Sequence, residues 1–274
     1  MTTRPAGAVQ TRCVTKVAAA QFPARIGAPA KNLSAATSAI AQAAALGARI
    51  VVLPECCISG YDLDWFREGA PGGGEPVPGP SCEALGQVST ALAVAVVVNL
   101  LERANGGLYS TSVVIDRDRI LGMHRKTQLT TDEEGAGLRA GDRRSVPVTI
   151  EGFPLPVAPM ICFEHGFPEI ALGLALAGAG VIAVSSAIRT GFEYLRNLRT
   201  RARAQDNGLY VVAANTVGGG WCGESMIIDP RGDVIARASP SDADVIVANI
   251  DPALVDQQRL REPVLERRRP DLRP

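Results

Sequence analysis

Short, unbroken apolar runs recur along this chain, and most are separated by stretches with helical spacing or by glycine-bounded turns. Val17–Phe22 comes first, Ile50–Leu53 stops at Pro54, and Ala93–Leu101 follows a helix-like Ser81–Leu92. Leu155–Phe163, Val181–Ser185, Tyr210–Asn215, Ser225–Ile228, Val234–Ala238 and Val245–Ile250 continue the pattern. A strand that is apolar on both faces has to be buried on both, so helices must cover the sheets. The other helix candidates are Asn32–Leu46, Glu169–Ala177 and Phe192–Asn207, each followed by a glycine that suits the position after a helix end. Leu108–Ile115 and Ile120–His124 flank Asp116-Arg-Asp-Arg119 as a hairpin, and Asp229-Pro-Arg-Gly-Asp233 turns another. Hairpins among buried parallel-type strands imply mixed sheets in an α/β fold.

The 274 residues are 46% apolar and 20% charged, enough to bury a sizeable core in one domain. Lys+Arg and Asp+Glu both number 28, so no overall field draws the chain to nucleic acid or an anionic membrane. No run approaches the length of a membrane span, and the first thirty residues carry no continuous apolar segment. A soluble cytoplasmic protein is expected. The cysteines at 13, 56, 57, 82, 162 and 222 form no C-x-x-C pair, and only two histidines are present, His124 and His165. Reduced thiols and no metal centre are therefore expected. The basic, proline-rich Pro263–Pro274 reads as disordered or as an arm lying on a partner subunit.

Three reactive side chains stand at strand ends. Glu55 follows Val51-Val-Leu-Pro, Lys126 closes Ile120-Leu-Gly-Met-His-Arg, and Cys162 follows Pro159-Met-Ile. A buried cysteine in such a place is ordinarily an inert small hydrophobe. Here a helix start is expected at Pro168, and the positive end of a helix dipole would favour the thiolate and lower its pKa. Apolar neighbours Cys56-Cys-Ile58 would partly desolvate Glu55, raise its pKa and make it a base near neutral pH. Lys126 taken singly is a surface lysine; beside a thiol it is a fixed cation for an oxyanion. A thiol, a carboxylate and an ammonium converging at one sheet rim suit hydrolysis of a carbon–nitrogen bond.

Other motifs carry less. Gly218-Gly-Gly-Trp-Cys-Gly223 matches G-x-G-x-x-G, but a further strand follows it and no helix N-terminus is available for a pyrophosphate. No G-x-S-x-G elbow or Walker loop is present. Arg196, Arg199, Arg201 and Arg203 form a basic run on a helix, the composition of a solvated or subunit-facing surface.

At these positions the chain resembles the nitrilase, or carbon–nitrogen hydrolase, superfamily. The resemblance rests on Gly47-Ala-Arg-Ile-Val-Val-Leu-Pro-Glu-Cys-Cys-Ile-Ser-Gly-Tyr61, Leu121-Gly-Met-His-Arg-Lys-Thr-Gln-Leu129 and Ile161-Cys-Phe-Glu-His-Gly-Phe-Pro-Glu169. Weaker landmarks follow in order, and the match spans about residues 14–255 with an arm over 256–274. The resemblance implies an α-β-β-α four-layer sandwich that pairs as a homodimer. It also implies Glu55 as general base, Lys126 as oxyanion stabiliser and Cys162 as nucleophile, with no cofactor. A second family glutamate is placed at Glu134 rather than its neighbour Glu133.

The reaction implied is acyl transfer through a thioester, with the Phe163 N–H sharing the oxyanion. Expected substrate contacts are Phe163, His165, Ala187 and Arg189. Cys-Phe-Glu replaces the Cys-Trp-Glu of nitrile-hydrolysing members, which favours a small linear amide over a nitrile. An N-carbamoyl substrate is the near alternative, although His165 and Gly166 stand where carbamoyl hydrolases carry basic residues. A non-catalytic binding homologue is the distant one.

Overall fold

The computed structural model describes residues 14–269 and 271. Cys13, the rest of the first thirteen residues, residue 270 and residues 272–274 lie outside the described residues. The first sheet contains β1 (Thr15–Gln21), β2 (Ala48–Val52), β3 (Ala95–Ala104), β4 (Gly107–Asp116) and β5 (Arg119–Arg125). The second contains β6 (Val157–Ile161), β7 (Val181–Ser186) and β8 (Tyr210–Asn215). A small hairpin, β9 (Val217–Gly218) with β10 (Trp221–Cys222), precedes β11 (Met226–Ile228), β12 (Val234–Arg237) and β13 (Asp244–Ile250). The helices are α1 (Pro29–Ala45), α2 (Leu63–Arg67), α3 (Pro80–Leu92), α4 (Thr131–Gly135), α5 (Pro168–Leu176), α6 (Glu193–Asn207), α7 (Pro252–Arg261) and α8 (Val264–Arg267).

One sheet runs β13-β1-β2-β3-β4-β5 and the other β12-β11-β8-β7-β6. Period-two alternation decides how they stack. Val17, Ala19, Ile50, Val52, Ala95 and Val97 face the core between the sheets, where Val181, Ala183, Tyr210, Val212 and Ala214 meet them. Their neighbours Ala18, Ala20, Val51, Val96 and Val98 point the other way, onto Ile40 of α1 and Leu85 of α3. In the second sheet Ile182, Val184, Val211 and Ala213 pack with Ala171 and Leu174 of α5 and Ala204 of α6. The result is the expected α-β-β-α sandwich. The small Ala19 lets the sheets approach; Ala19→Leu would overpack the middle core at about 1–3 kcal/mol.

Direction follows from pairing. β2 is parallel to β3, and two antiparallel steps through β4 restore that direction in β5. The C-terminal ends of β2 and β5 therefore share one edge. Asn105 and Gly106 (φ 50° and 68°) make the β3–β4 turn, both left-handed as a type I′ hairpin requires. β6, β7 and β8 are parallel in the other sheet. Cross-links at the rim align the two sets of ends: Ser185 Oγ donates to Leu53 O at 2.8 Å, and Glu55 N donates to Ser186 O at 3.2 Å.

α7 packs on the second sheet's side: Val255 is buried, and Arg259 donates to Ala179 O at 2.8 Å. Leu265 of α8 lies against the outer core of the second sheet. α5 begins at Pro168 as expected, and a 3₁₀ turn over Cys162–Gly166 lies between β6 and it. No helix among the described residues is long and apolar enough to cross a membrane.

Candidate active site

Pro54 ends β2 and the chain turns sharply, with Cys56 in a left-handed conformation (φ 46°). Cys56 N donates to Asn99 Oδ1 at 2.8 Å, which fixes the turn on β3. Asn99 is a lone amide in an apolar strand, and its Nδ2 donates to Ser112 Oγ at 3.1 Å. This support holds the Glu55 carboxyl inward, where it is fully buried. Lys126 leaves the end of β5 with its N–H donated to Ser110 O at 2.8 Å, and its Nζ donates to Glu55 Oε1 at 2.9 Å.

The same Nζ donates to Glu133 Oε1 at 2.6 Å. This corrects the placement at Glu134, which is exposed, whereas Glu133 is fully buried. The reason is a capping box. Thr130 Oγ1 accepts from Glu133 N at 3.2 Å, and Glu133 Oε2 accepts from Thr130 N at 2.8 Å. The box curls Glu133 back over the start of α4 and sends Glu134 outward. Tyr61 OH completes the carboxylate, donating to Oε1 at 2.7 Å. Gly60 sets up that tyrosine: its φ is 84°, and a Cβ there would sit 2.7 Å from Ile26 Cα.

Cys162 follows β6 in a strained left-handed conformation, φ 39°, worth about 1–3 kcal/mol for a residue with a side chain. It keeps partial contact with solvent, while Glu55, Lys126 and Glu133 are buried. Its Sγ lies 4.0 Å from Ala187 O, which brings the loop after β7 to the thiol. Glu55 Oε2 is buried with no hydrogen-bond partner of ordinary geometry, and the Cys162 thiol is near enough to act on that carboxyl's charge.

The electrostatics divide the groups. Burial pushes Glu55 above the usual carboxylate range, with Lys126 opposing it and Glu133 assisting it. Burial would raise Glu133 as well, but the Lys126 ammonium and the bonds from Thr130 and Tyr61 outweigh it and hold it low. Desolvation works against the Lys126 ammonium; the Glu55 and Glu133 charges and the bond to Glu133 overcome this and keep it protonated. For Cys162 the expected lowering is overturned. Burial and then the Glu55 charge raise the thiol, and the Lys126 charge does not offset them. The resting site therefore holds a thiol next to a carboxyl of raised basicity, not a stored thiolate.

The expected substrate contacts separate. His165 Nδ1 is committed to Cys162 O, and burial together with Arg199, Arg196 and Arg203 lowers the ring to about 4, so it is neutral. It supports the Cys162 backbone. Phe163 is half-buried, its ring edge-on to Phe167 at 5.2 Å. Arg189 is exposed, with its guanidinium carbon 4.9 Å from the Trp221 ring centroid. Trp221 in turn meets Tyr61 edge-on at 5.5 Å, so Arg189 overhangs the carboxylate side of the site. Glu133 was detectable in advance through Thr130-Thr-Asp-Glu133, and Asn99 through its interruption of an apolar run. The segment after Gly218-Gly-Gly220 forms β10 and β11 and supplies no helix N-terminus. Among the described residues no group of three or more His, Cys, Asp or Glu is placed to hold a metal ion.

The model of the family described as "Carbon-nitrogen hydrolase" matches residues 16–260. Omega-amidase NIT2 of Xenopus tropicalis is 34% identical over 263 residues, covering 88% of this chain and 91% of that protein. A nitrilase of Pyrococcus abyssi is 33% identical over 263 residues, covering 91% and 94%. Among solved structures, the acrylamide complex of a double mutant of the amidase from Nesterenkonia sp. AN1 superposes with a TM-score of 0.84 at 23% identity. It covers 97% of this chain and 98% of that one, a likeness of fold.

Proposed function

Starting from a chain that belongs to the carbon–nitrogen hydrolase family, we propose that it hydrolyses a small linear amide through a thioester on Cys162. The observation that carries this is one buried ammonium, Lys126 Nζ, bridging Glu55 and Glu133 at 2.9 and 2.6 Å beside a partly exposed thiol.

In the first step Glu55 accepts the thiol proton as Sγ bonds to the amide carbon, and the carbonyl electron pair moves onto oxygen. The raised thiol means that proton transfer and attack proceed together. Lys126 and the Phe163 N–H hold the oxyanion; loss of one such donor costs about 10²–10³ in turnover. Collapse breaks the carbon–nitrogen bond while Glu55 returns the proton to the departing nitrogen. Glu55 then takes a proton from water, the hydroxide attacks the thioester, and Sγ leaves and is reprotonated. Glu133 touches Lys126 throughout and keeps it charged and aimed.

The named relatives include omega-amidases, and Arg189 stacks on Trp221 without a carboxylate pairing to it among the described residues. The relatives' names favour an amide, and the Arg189 guanidinium favours an anionic far end. The test is ammonia release from a panel of amides, ureido acids and nitriles. Fastest turnover on an amide is expected, with KM for an anionic amide rising in Arg189→Ala. Faster turnover on nitriles or ureido acids refutes the reading.

A further inference from the structure

One buried carboxylate at the rim has no part in the steps above. Glu164 is fully buried two residues beyond Cys162, and four protein groups surround its carboxylate. Oε1 accepts from Thr127 N at 2.7 Å and Thr127 Oγ1 at 2.8 Å, and Oε2 accepts from Ile161 N at 2.8 Å. His124 Nε2 lies 3.0 Å from both oxygens. Among the described residues His124 Nδ1 is buried with no partner, and the ring's only polar attachment is to this carboxylate.

The identity of the donors is informative. Thr127 is the residue after Lys126, and Ile161 is the residue before Cys162. β5, which ends two residues before Thr127, and β6, which ends at Ile161, are edge strands of different sheets, and among the described residues no strand ladder joins the two. The Lys126–Glu55 pair belongs to one sheet and the thiol to the other. Their relative position therefore depends on links across the rim; Glu55 N to Ser186 O ties the base to β7, and Glu164 grips the Lys126 and Cys162 segments next to the reacting residues. A carboxylate accepting several N–H and O–H bonds in a packed interior has little freedom to shift.

We propose that Glu164 is a positioning residue that sets the Cys162 thiol against the Lys126 ammonium across the two sheets. This rests on the hydrolytic role given to those two groups above. A displacement of about 1 Å between reacting groups costs on the order of 10²-fold in rate, so the effect belongs in kcat. A carboxylate that only held the fold together would alter the melting temperature and leave the turnover of the folded fraction intact.

The test uses the full chain and three variants. Glu164→Gln removes one acceptor, Thr127→Val removes only the hydroxyl donor, and Thr127→Ser restores it. Turnover at saturating amide, KM, melting temperature and the rate of Cys162 alkylation by iodoacetamide are read for each. Glu164→Gln is expected to lose about 10²-fold in kcat and Thr127→Val about tenfold, with KM within about twofold and Thr127→Ser near wild type. Alkylation of Cys162 should slow in parallel. Thr127→Val is the milder change and decides the matter if Glu164→Gln does not fold. A folded Thr127→Val with kcat and alkylation rate within about twofold of wild type overturns the proposal. If the wild-type chain releases ammonia from no amide, the hydrolytic reading fails on its own, and an unchanged alkylation rate in Thr127→Val still counts against the positioning role.

Discussion

Replacing Glu133 by glutamine separates the two neighbouring carboxylates cleanly. Glu133 accepts from Lys126 at 2.6 Å, Tyr61 at 2.7 Å and Thr130 N at 2.8 Å. Glutamine offers one oxygen and turns the other position into a donor, so whichever way it lies a donor faces a donor. The lost charge-assisted bond is worth about 1.5–3 kcal/mol, and an unpaired buried donor adds about 1–3. Assigning about 3 kcal/mol of that to the transition state predicts a kcat loss on the order of 10²-fold, at about 1.4 kcal/mol per factor of ten. A second signature has a definite sign. The Glu133 charge helps to raise Glu55, so neutralising it lowers the base, and the acid limb of the rate profile moves to lower pH. Glu134→Gln, on the exposed neighbour, should stay within about twofold of wild type because surface changes of this kind are close to neutral. Steady-state ammonia release across pH, with circular dichroism to check folding, is the assay. Glu133→Gln retaining more than about a third of wild-type turnover, or Glu134→Gln losing as much, refutes the reasoning.

Lys126→Met should leave Glu55 and Glu133 buried without a cation, at a stability cost of about 3–5 kcal/mol near neutral pH. With the ammonium gone, both folded-state carboxyl pKa values rise above their unfolded values. The variant's deficit is therefore small below the unfolded carboxylate range and grows as pH rises through the folded values. Urea midpoints at acid and neutral pH check this, and a deficit independent of pH contradicts it. Cys162→Ala should abolish ammonia release at an unchanged urea midpoint; retained turnover puts the nucleophile elsewhere. Two buried carboxylates beside the thiol should make neutral iodoacetamide outpace anionic iodoacetate at Cys162 by more than the two differ toward free cysteine. Peptide mapping decides this, and equal rate ratios would falsify the electrostatic picture.

Much of the fold was legible because the two sheets are covered on both faces, which writes unbroken apolar strands such as Val181–Ser185 into the sequence. Glu55, Lys126 and Cys162 could be singled out because each lies just past the end of a strand. What was misjudged depends on local backbone bonding. Counting along Asp132-Glu-Glu134 favoured Glu134, whereas the capping box begun at Thr130 turns Glu133 inward. The helix after the thiol starts at Pro168 as expected, but it does not lower the thiol, because burial controls its titration. His165 looked available through its closeness in sequence, yet closeness directed it to the Cys162 carbonyl. Glu164 stood within the Cys-Phe-Glu stretch, but its role left no sequence signal, since its partners His124 and Thr127 come from β5 and the residues just after it. Little in Leu63–Arg67 marked α2, a helix of five residues capped by Asp62.

The account's central claim is a covalent acyl group on one particular sulfur. Acid-quenched reaction with a hydrolysed amide, followed by peptide mass mapping, tests it most directly. The prediction is a substrate acyl group on the Cys162 peptide, removed by hydroxylamine, with Cys56, Cys57 and Cys222 unmodified in their buried positions. Undiminished ammonia release with no acylated peptide, or acyl transfer to any other residue, would contradict it.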